Sequence, residues 1–172
     1  MTLLSINFTP SKLLNVLALA AVISGCSSTT DTSSQVIDEA CQSQGQRMAQ
    51  SAETSGANAQ YLTAARTLQS CVLHPLPNHL TDKQSEVVMQ LMANTTLNYV
   101  KGGDIAAAKI QLNEFELQFS DQDLYLADFT SFRDTANALL QGAELSSQEL
   151  AGLNISRALR AELQRQKYWL TH

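Results

Sequence analysis

Apolar positions along this chain fall into three regimes. Residues 13–23 form a nearly unbroken apolar run with Leu13, Leu14, Val16, Leu17, Leu19, Val22 and Ile23. Residues 27–34 are Ser, Thr and Asp only, with nothing to bury. From Gln35 onward apolar residues recur at steps of three and four, the period of a helix that lays one face on a core.

Breakers and caps divide that last regime into six predicted helices. The first covers 35–55 on Val36, Ile37, Ala40, Cys41 and Met48, is weak at Gln44 and Gly45, and stops at Gly56. The second starts near Asn58, carries Tyr61, Ala64, Ala65, Leu68, Cys71 and Val72, and ends at His74-Pro75-Leu76-Pro77, which cannot continue a helix. Thr81-Asp82-Lys83-Gln84 is a capping box that opens a third helix on Val87, Val88, Leu91, Met92, Thr95 and Tyr99, stopped by Gly102-Gly103. Asp104 caps the fourth, with Ile105, Ala108, Leu112, Phe115 and Phe119. Ser120-Asp121-Gln122-Asp123 reads as a capped turn before a fifth, on Tyr125, Phe129, Phe132, Ala136 and Leu139 or Leu140, ending at Gly142. Ser146-Ser147-Gln148-Glu149 is a second capping box, and the sixth helix carries Leu150, Leu153, Ala158, Leu159, Leu163 and Leu170. Short connections make neighbours antiparallel, so the pattern predicts an all-α domain of helical hairpins, as a small bundle or an array.

The apolar run at the start has a different purpose. Lys12 is the only charge in the first 25 residues, and the run behind it is shorter than the ~20 residues a bilayer requires. It closes on Ile23-Ser24-Gly25-Cys26. This stretch resembles the signal peptide and lipobox of bacterial lipoproteins. The resemblance implies that residues 1–25 are removed and that Cys26 carries a diacylglyceride, usually with a third chain such as palmitate on the new amine. Ser27 in place of Asp then implies sorting to the outer membrane; a domain facing the periplasm is the expectation there, with a surface-exposed one as the alternative. At ~0.8 kcal/mol per buried CH₂, two or three chains make a lasting anchor. Residues 26–34 are left as a flexible tether, and 35–172 as the helical domain. The alternative is a secreted protein with a chance cysteine near its cleavage site.

Charge narrows the range of partners. The chain has 11 Lys+Arg against 16 Asp+Glu, and loss of the leader removes Lys12 alone, so the formal charge passes from −5 to −6. Nucleic acid needs clustered cations and is not an expected partner. Beyond the leader no segment is apolar for long enough to span a bilayer.

With Cys26 given to lipid, Cys41 and Cys71 remain. Each lies 15 positions from Gly56, one before and one after, and both sit on the faces that would meet in a hairpin. An oxidising envelope compartment favours a bridge between them; the alternative is a pair of buried thiols.

Residues 92–120 look like one tetratricopeptide repeat, with Tyr99, Gly103-Asp104, Ala107-Ala108 and Phe115 where that unit keeps its aromatic, its turn and its close-packing residues. Gly56 with Tyr61-Leu62-Thr63-Ala64-Ala65 is a fainter echo. The two Ala pairs stand 43 positions apart against that repeat's period of 34, and Ser120 occupies the place of its closing proline.

No catalytic constellation emerges. His74 and His79 share a proline-broken loop, His172 is the last residue, and none has a Cys or carboxylate at ligand spacing. There is no Gly-x-Ser-x-Gly, no Ser-x-x-Lys and no phosphate-cradling glycine loop. Asp38, Glu39, Asp121 and Asp123 read as helix-start charges. Neither metal nor cofactor is expected, and no enzyme activity. The most unusual surface is the last helix, where Arg157, Arg160, Arg165 and Lys167 precede Tyr168-Trp169-Leu170. The first reading is structural, with cations complementing the helix's own C-terminal dipole and Trp169 capping the core. The second makes Arg157, Arg160, Arg165 and Trp169 a docking site. Small helical lipoproteins of this kind include tetratricopeptide adaptors and pilotins, so the leading expectation is a protein-binding adaptor or pilotin-like chaperone for an envelope protein. A lipoprotein that binds a small molecule or cell-wall component, or a purely structural envelope component, is the alternative.

Overall fold

The computed structural model describes residues 35–171. The predicted leader, Cys26 and the tether to Ser34 lie outside the described residues, as does His172. Among the described residues the protein is all-α. Its helices are α1 (Glu39–Ser55), α2 (Asn58–Ser70), α3 (Asp82–Gly102), α4 (Ile105–Gln118), α5 (Phe132–Gln141), α6 (Ser147–Gly152) and α7 (Arg157–Thr171).

The first helix starts later than its apolar pattern. Asp38 is the N-cap and accepts from the Cys41 amide at 3.0 Å. Val36 and Ile37 are buried in extended backbone, with Asp38 N–H donating to the Cys71 carbonyl and Leu73 N–H to that of Val36, both at 2.9 Å. The chain thus enters the domain paired alongside the end of α2. Cys41 and Cys71 are joined there by the predicted disulfide, with Cα atoms 5.4 Å apart.

Gly45, the weak middle of the first predicted helix, is its point of closest approach. A Cβ there would meet Leu68 Cδ2 at 2.6 Å and the Leu68 backbone nitrogen at 3.3 Å. On the other side of α2, Gly102 of α3 meets Leu62 in the same way. Successive helices pack α1 on α2, α2 on α3 and α3 on α4. Both capping boxes form, at Thr81/Gln84 and Ser146/Glu149. Gly103, at φ +83°, makes the left-handed turn that a side chain would strain, and Asp104 caps α4 through the Ala107 amide at 3.0 Å.

The main core gathers Leu68, Val88, Leu91, Phe115 and Phe132. Phe132 meets Phe115 edge to face with centroids 4.8 Å apart, and this pair fastens α5 to α4. Polar groups on the buried side of α3 are mostly paired within it: Thr95 and Thr96 hydroxyls donate to the Leu91 and Met92 carbonyls at 2.9 Å. Tyr99 donates to Gln69 of α2 at 2.6 Å.

Two predicted helices are corrected. The fifth was expected to carry Tyr125 and Phe129, but α5 begins at Phe132 behind a Ser131 cap, and both aromatics are exposed. Asp123 does not start a helix. It accepts from the Leu124 amide at 2.8 Å, the Arg133 amide at 3.3 Å and the Ser131 hydroxyl, which folds 124–131 into a small hairpin. The sixth helix is two. Leu153 is extended, Asn154 N–H donates to Asp134 at 2.6 Å, and Ser156 caps a new start by accepting from the Leu159 amide at 3.2 Å. Leu150, Ile155 and Leu163 then bury with Ala138 in a second, smaller core, and Leu170 remains outside it.

Candidate functional site

α7 is amphipathic, and its inner side is short. Leu163 is buried and Leu159 half-buried, and with them the helix's apolar anchorage ends. Cations add to that attachment. Arg160 donates to the carbonyls of Leu150, Ala151 (2.8 Å) and Leu153 (2.6 Å), satisfying the carbonyl end of α6. Lys167 Nζ donates to the Leu145 carbonyl. Arg165 pairs with Glu162 one turn earlier through Nε–Oε2 at 2.9 Å and Nη2–Oε1 at 2.6 Å. That pair holds the Glu162 carboxyl below its ordinary range, mainly through the hydrogen bond from Arg165, and raises Arg165 in return.

These contacts correct the structural reading of the last helix. Arg160 and Lys167 serve the carbonyls of preceding segments, not the dipole of their own helix. Trp169 does not cap the core: it is 67% exposed and Leu170 is 73% exposed. Trp169 and Tyr168 meet edge to face at 5.4 Å, outside the core. Arg165, Gln166, Trp169 and Leu170 line a shallow depression open to solvent. Of the four docking candidates, Arg165 and Trp169 are thus together, Arg157 is exposed at the start of the helix, and Arg160 is a structural clamp.

A second exposed surface was missed by sequence reasoning. In the 124–131 hairpin Leu126 N–H donates to the Thr130 carbonyl and Phe129 N–H to that of Leu126, both at 2.9 Å, and Tyr125 bridges Ser131. Phe129 stands at the tip, 82% exposed, with φ at +61°. A bulky residue rarely adopts that conformation, which costs about 1–2 kcal/mol. Asp128 accepts from the Thr130 hydroxyl at 2.6 Å and its amide at 3.3 Å. The hydroxyl bond is the main reason its carboxyl is held below the usual range. Asn154, between α6 and α7, donates to the Phe129 carbonyl at 3.1 Å and accepts from Ser131 N–H at 2.9 Å. The signal available in the sequence was polar: Asp123, Asp128 and Ser131 bracket the aromatics, and the apolar period passes over them.

His74 and His79 are exposed in the loop between α2 and α3. Among the described residues no three His, Cys, Asp or Glu side chains stand close enough to hold a metal ion. No helix among them is long and apolar enough to cross a membrane.

No protein-family model, curated protein or solved structure matches this chain.

Proposed function

We propose that this chain is a lipid-anchored, non-catalytic adaptor of a bacterial envelope, held at the outer membrane through Cys26 and presenting the end of α7 to an envelope protein. The observation that carries the reading is Trp169 and Leu170 standing exposed beside Arg165 on a helix fixed from behind by Arg160 and Lys167. Large aromatic and arginine side chains contribute most where they leave water in a partner's pocket, and a pre-fixed helix loses little entropy on binding. A pilotin-like chaperone or a tetratricopeptide-like adaptor would use the domain in this way. The α3–Gly103–α4 hairpin, with Tyr99, Ala108 and Phe115 buried, supports the second comparison.

The anchor is supported by the lipobox-like run and by the entry of the chain at Val36, where pairing and a disulfide brace the point that a tether would pull on. Cys26→Ala should stay unprocessed, take up no labelled palmitate and leave the outer-membrane fraction. Normal labelling and fractionation of that variant would remove the anchor from the account.

A further inference from the structure

We propose that the loop between α2 and α3 rests on the membrane that holds the anchor, with Leu73 entering the interface of a zwitterionic phospholipid leaflet. The proposal rests on the lipid-anchor reading of Cys26 and adds the face that the domain turns to the bilayer.

Three observations carry it. The first is where the chain enters the domain. Leu73 N–H donates to the Val36 carbonyl at 2.9 Å and Ile37 pairs with Val72, so the loop begins beside the residues that follow the tether. Nine residue steps separate Cys26 from Gln35. At no more than about 3.6 Å each they reach at most about 32 Å, whatever their conformation. The turn at Gly56 lies at the other end of α1, a helix of 17 residues, and so stands about 25 Å from the entry point. The second observation is exposure. Leu73 is 42% exposed, whereas Leu76 and Leu80 of the same loop pack against the core. The Val36 pairing at one end and the Thr81 cap at the other fix the loop with Leu73 outside. The third is charge. Residues 54–81 contain no Asp or Glu. The exposed polar side chains of the loop are His74, Asn78 and His79, which can donate to phosphate and ester oxygens.

The carboxylates at the borders of this surface are Asp38, Glu39 and Asp82, at the starts of α1 and α3. They disfavour a strongly anionic leaflet, which makes zwitterionic headgroups the partner. Interfacial binding scales with the apolar area buried, and one leucine does not hold a free domain to lipid. The anchor changes that balance by keeping the loop at high effective concentration beside the bilayer, so a small contact is enough to set the orientation of the domain.

The test uses the lipidated protein, processed from the full-length chain, in phosphatidylcholine vesicles whose acyl chains are brominated near the carbonyl end. Trp169→Phe removes the one tryptophan. Asn78→Trp then reports on the loop, with His79→Trp as a second reporter, and Asn58→Trp reports on the Gly56 turn. Bromine is expected to quench either loop tryptophan at least twofold more than the one at position 58. Leu73→Asp, a change at an exposed site, should bring the loop down to the level of position 58 without lowering the melting temperature. Equal quenching at the two ends, or a difference indifferent to Leu73→Asp, overturns the proposal. If Cys26 takes up no labelled palmitate in cells, the anchor and this contact fall together. If the protein is lipidated and vesicle-bound yet equally quenched at both ends, the loop contact fails and the anchor stands.

Discussion

Gly45 of α1 lies so close to Leu68 of α2 that a Cβ on the glycine would stand 2.6 Å from the leucine Cδ2. Leu68 is fully buried, so moving its side chain disturbs the core, and its backbone nitrogen would stand 3.3 Å from the same Cβ. On propensity alone Gly45→Ala should stabilise an exposed helix by about 1 kcal/mol. Overpacking at this crossing costs about 1–3 kcal/mol and outweighs that gain. The variant is therefore expected to be less stable in urea unfolding, and a higher midpoint would show that α1 and α2 do not meet so closely.

The disulfide closes a segment of 30 residues between Cys41 and Cys71. In the chain-entropy model a loop of that size contributes about 3 kcal/mol. Cys41→Ser should lower the melting temperature in oxidising buffer by several degrees, and reductant should bring the parent protein down to meet it. Equal melting of the two proteins without reductant would mean the bridge is not stabilising.

Phe129 is expected to be a residue retained against stability. Asn tolerates left-handed backbone far better, so Phe129→Asn should melt at the same temperature or higher, by up to about 1 kcal/mol of added stability. A clear drop in melting temperature would mean that the ring supports the fold.

Arg160 is expected to govern α7 locally. Its guanidinium serves three carbonyls at once, a geometry that a lysine ammonium cannot reproduce. Arg160→Lys should raise amide hydrogen exchange in residues 157–171 by an order of magnitude or more while α1 to α4 stay protected. Unchanged exchange in α7 would show that the Arg160 contacts do not hold the helix.

Glu53 links acidity to the α1–α2–α3 packing. Lys101 donates to it, Tyr61 donates at 3.1 Å, and the Lys101 bond is the main reason its carboxyl is held below the ordinary range. A lowered folded-state value gives a contribution that is full above the unfolded pKa, about 4.3, and lost as pH falls through the folded one. Glu53→Gln should therefore melt below the parent near neutrality, and the gap should close in acid as pH falls through the lowered Glu53 value. The pair is half-exposed, so the gap is expected to be small and to shrink in salt.

The fold was legible where one residue type had one local use. Thr81/Gln84, Ser146/Glu149, Asp104 and Gly103 each act on their own turn, and Cys41 and Cys71 needed only a hairpin to meet. It was illegible where a polar side chain acted across the chain. Asp123 reaches Ser131 and Arg133, and Asn154 reaches Phe129 and Asp134, and no period of three or four records such bonds. The same limit applied to the candidate surface. Composition singled out α7, but only the carbonyls bound by Arg160 and Lys167 separate its structural cations from its exposed end. The aromatics of the hairpin looked like core because Tyr125 and Phe129 keep the helical spacing.

The end of α7 as a docking surface is tested most directly by photocrosslinking from Gln166 in intact cells, with a probe at exposed Lys109 on α4 as the control. The account predicts a discrete adduct from position 166 that is absent from position 109 and is lost in Trp169→Ala. Equal yields at both positions, or an adduct indifferent to Trp169, would contradict it.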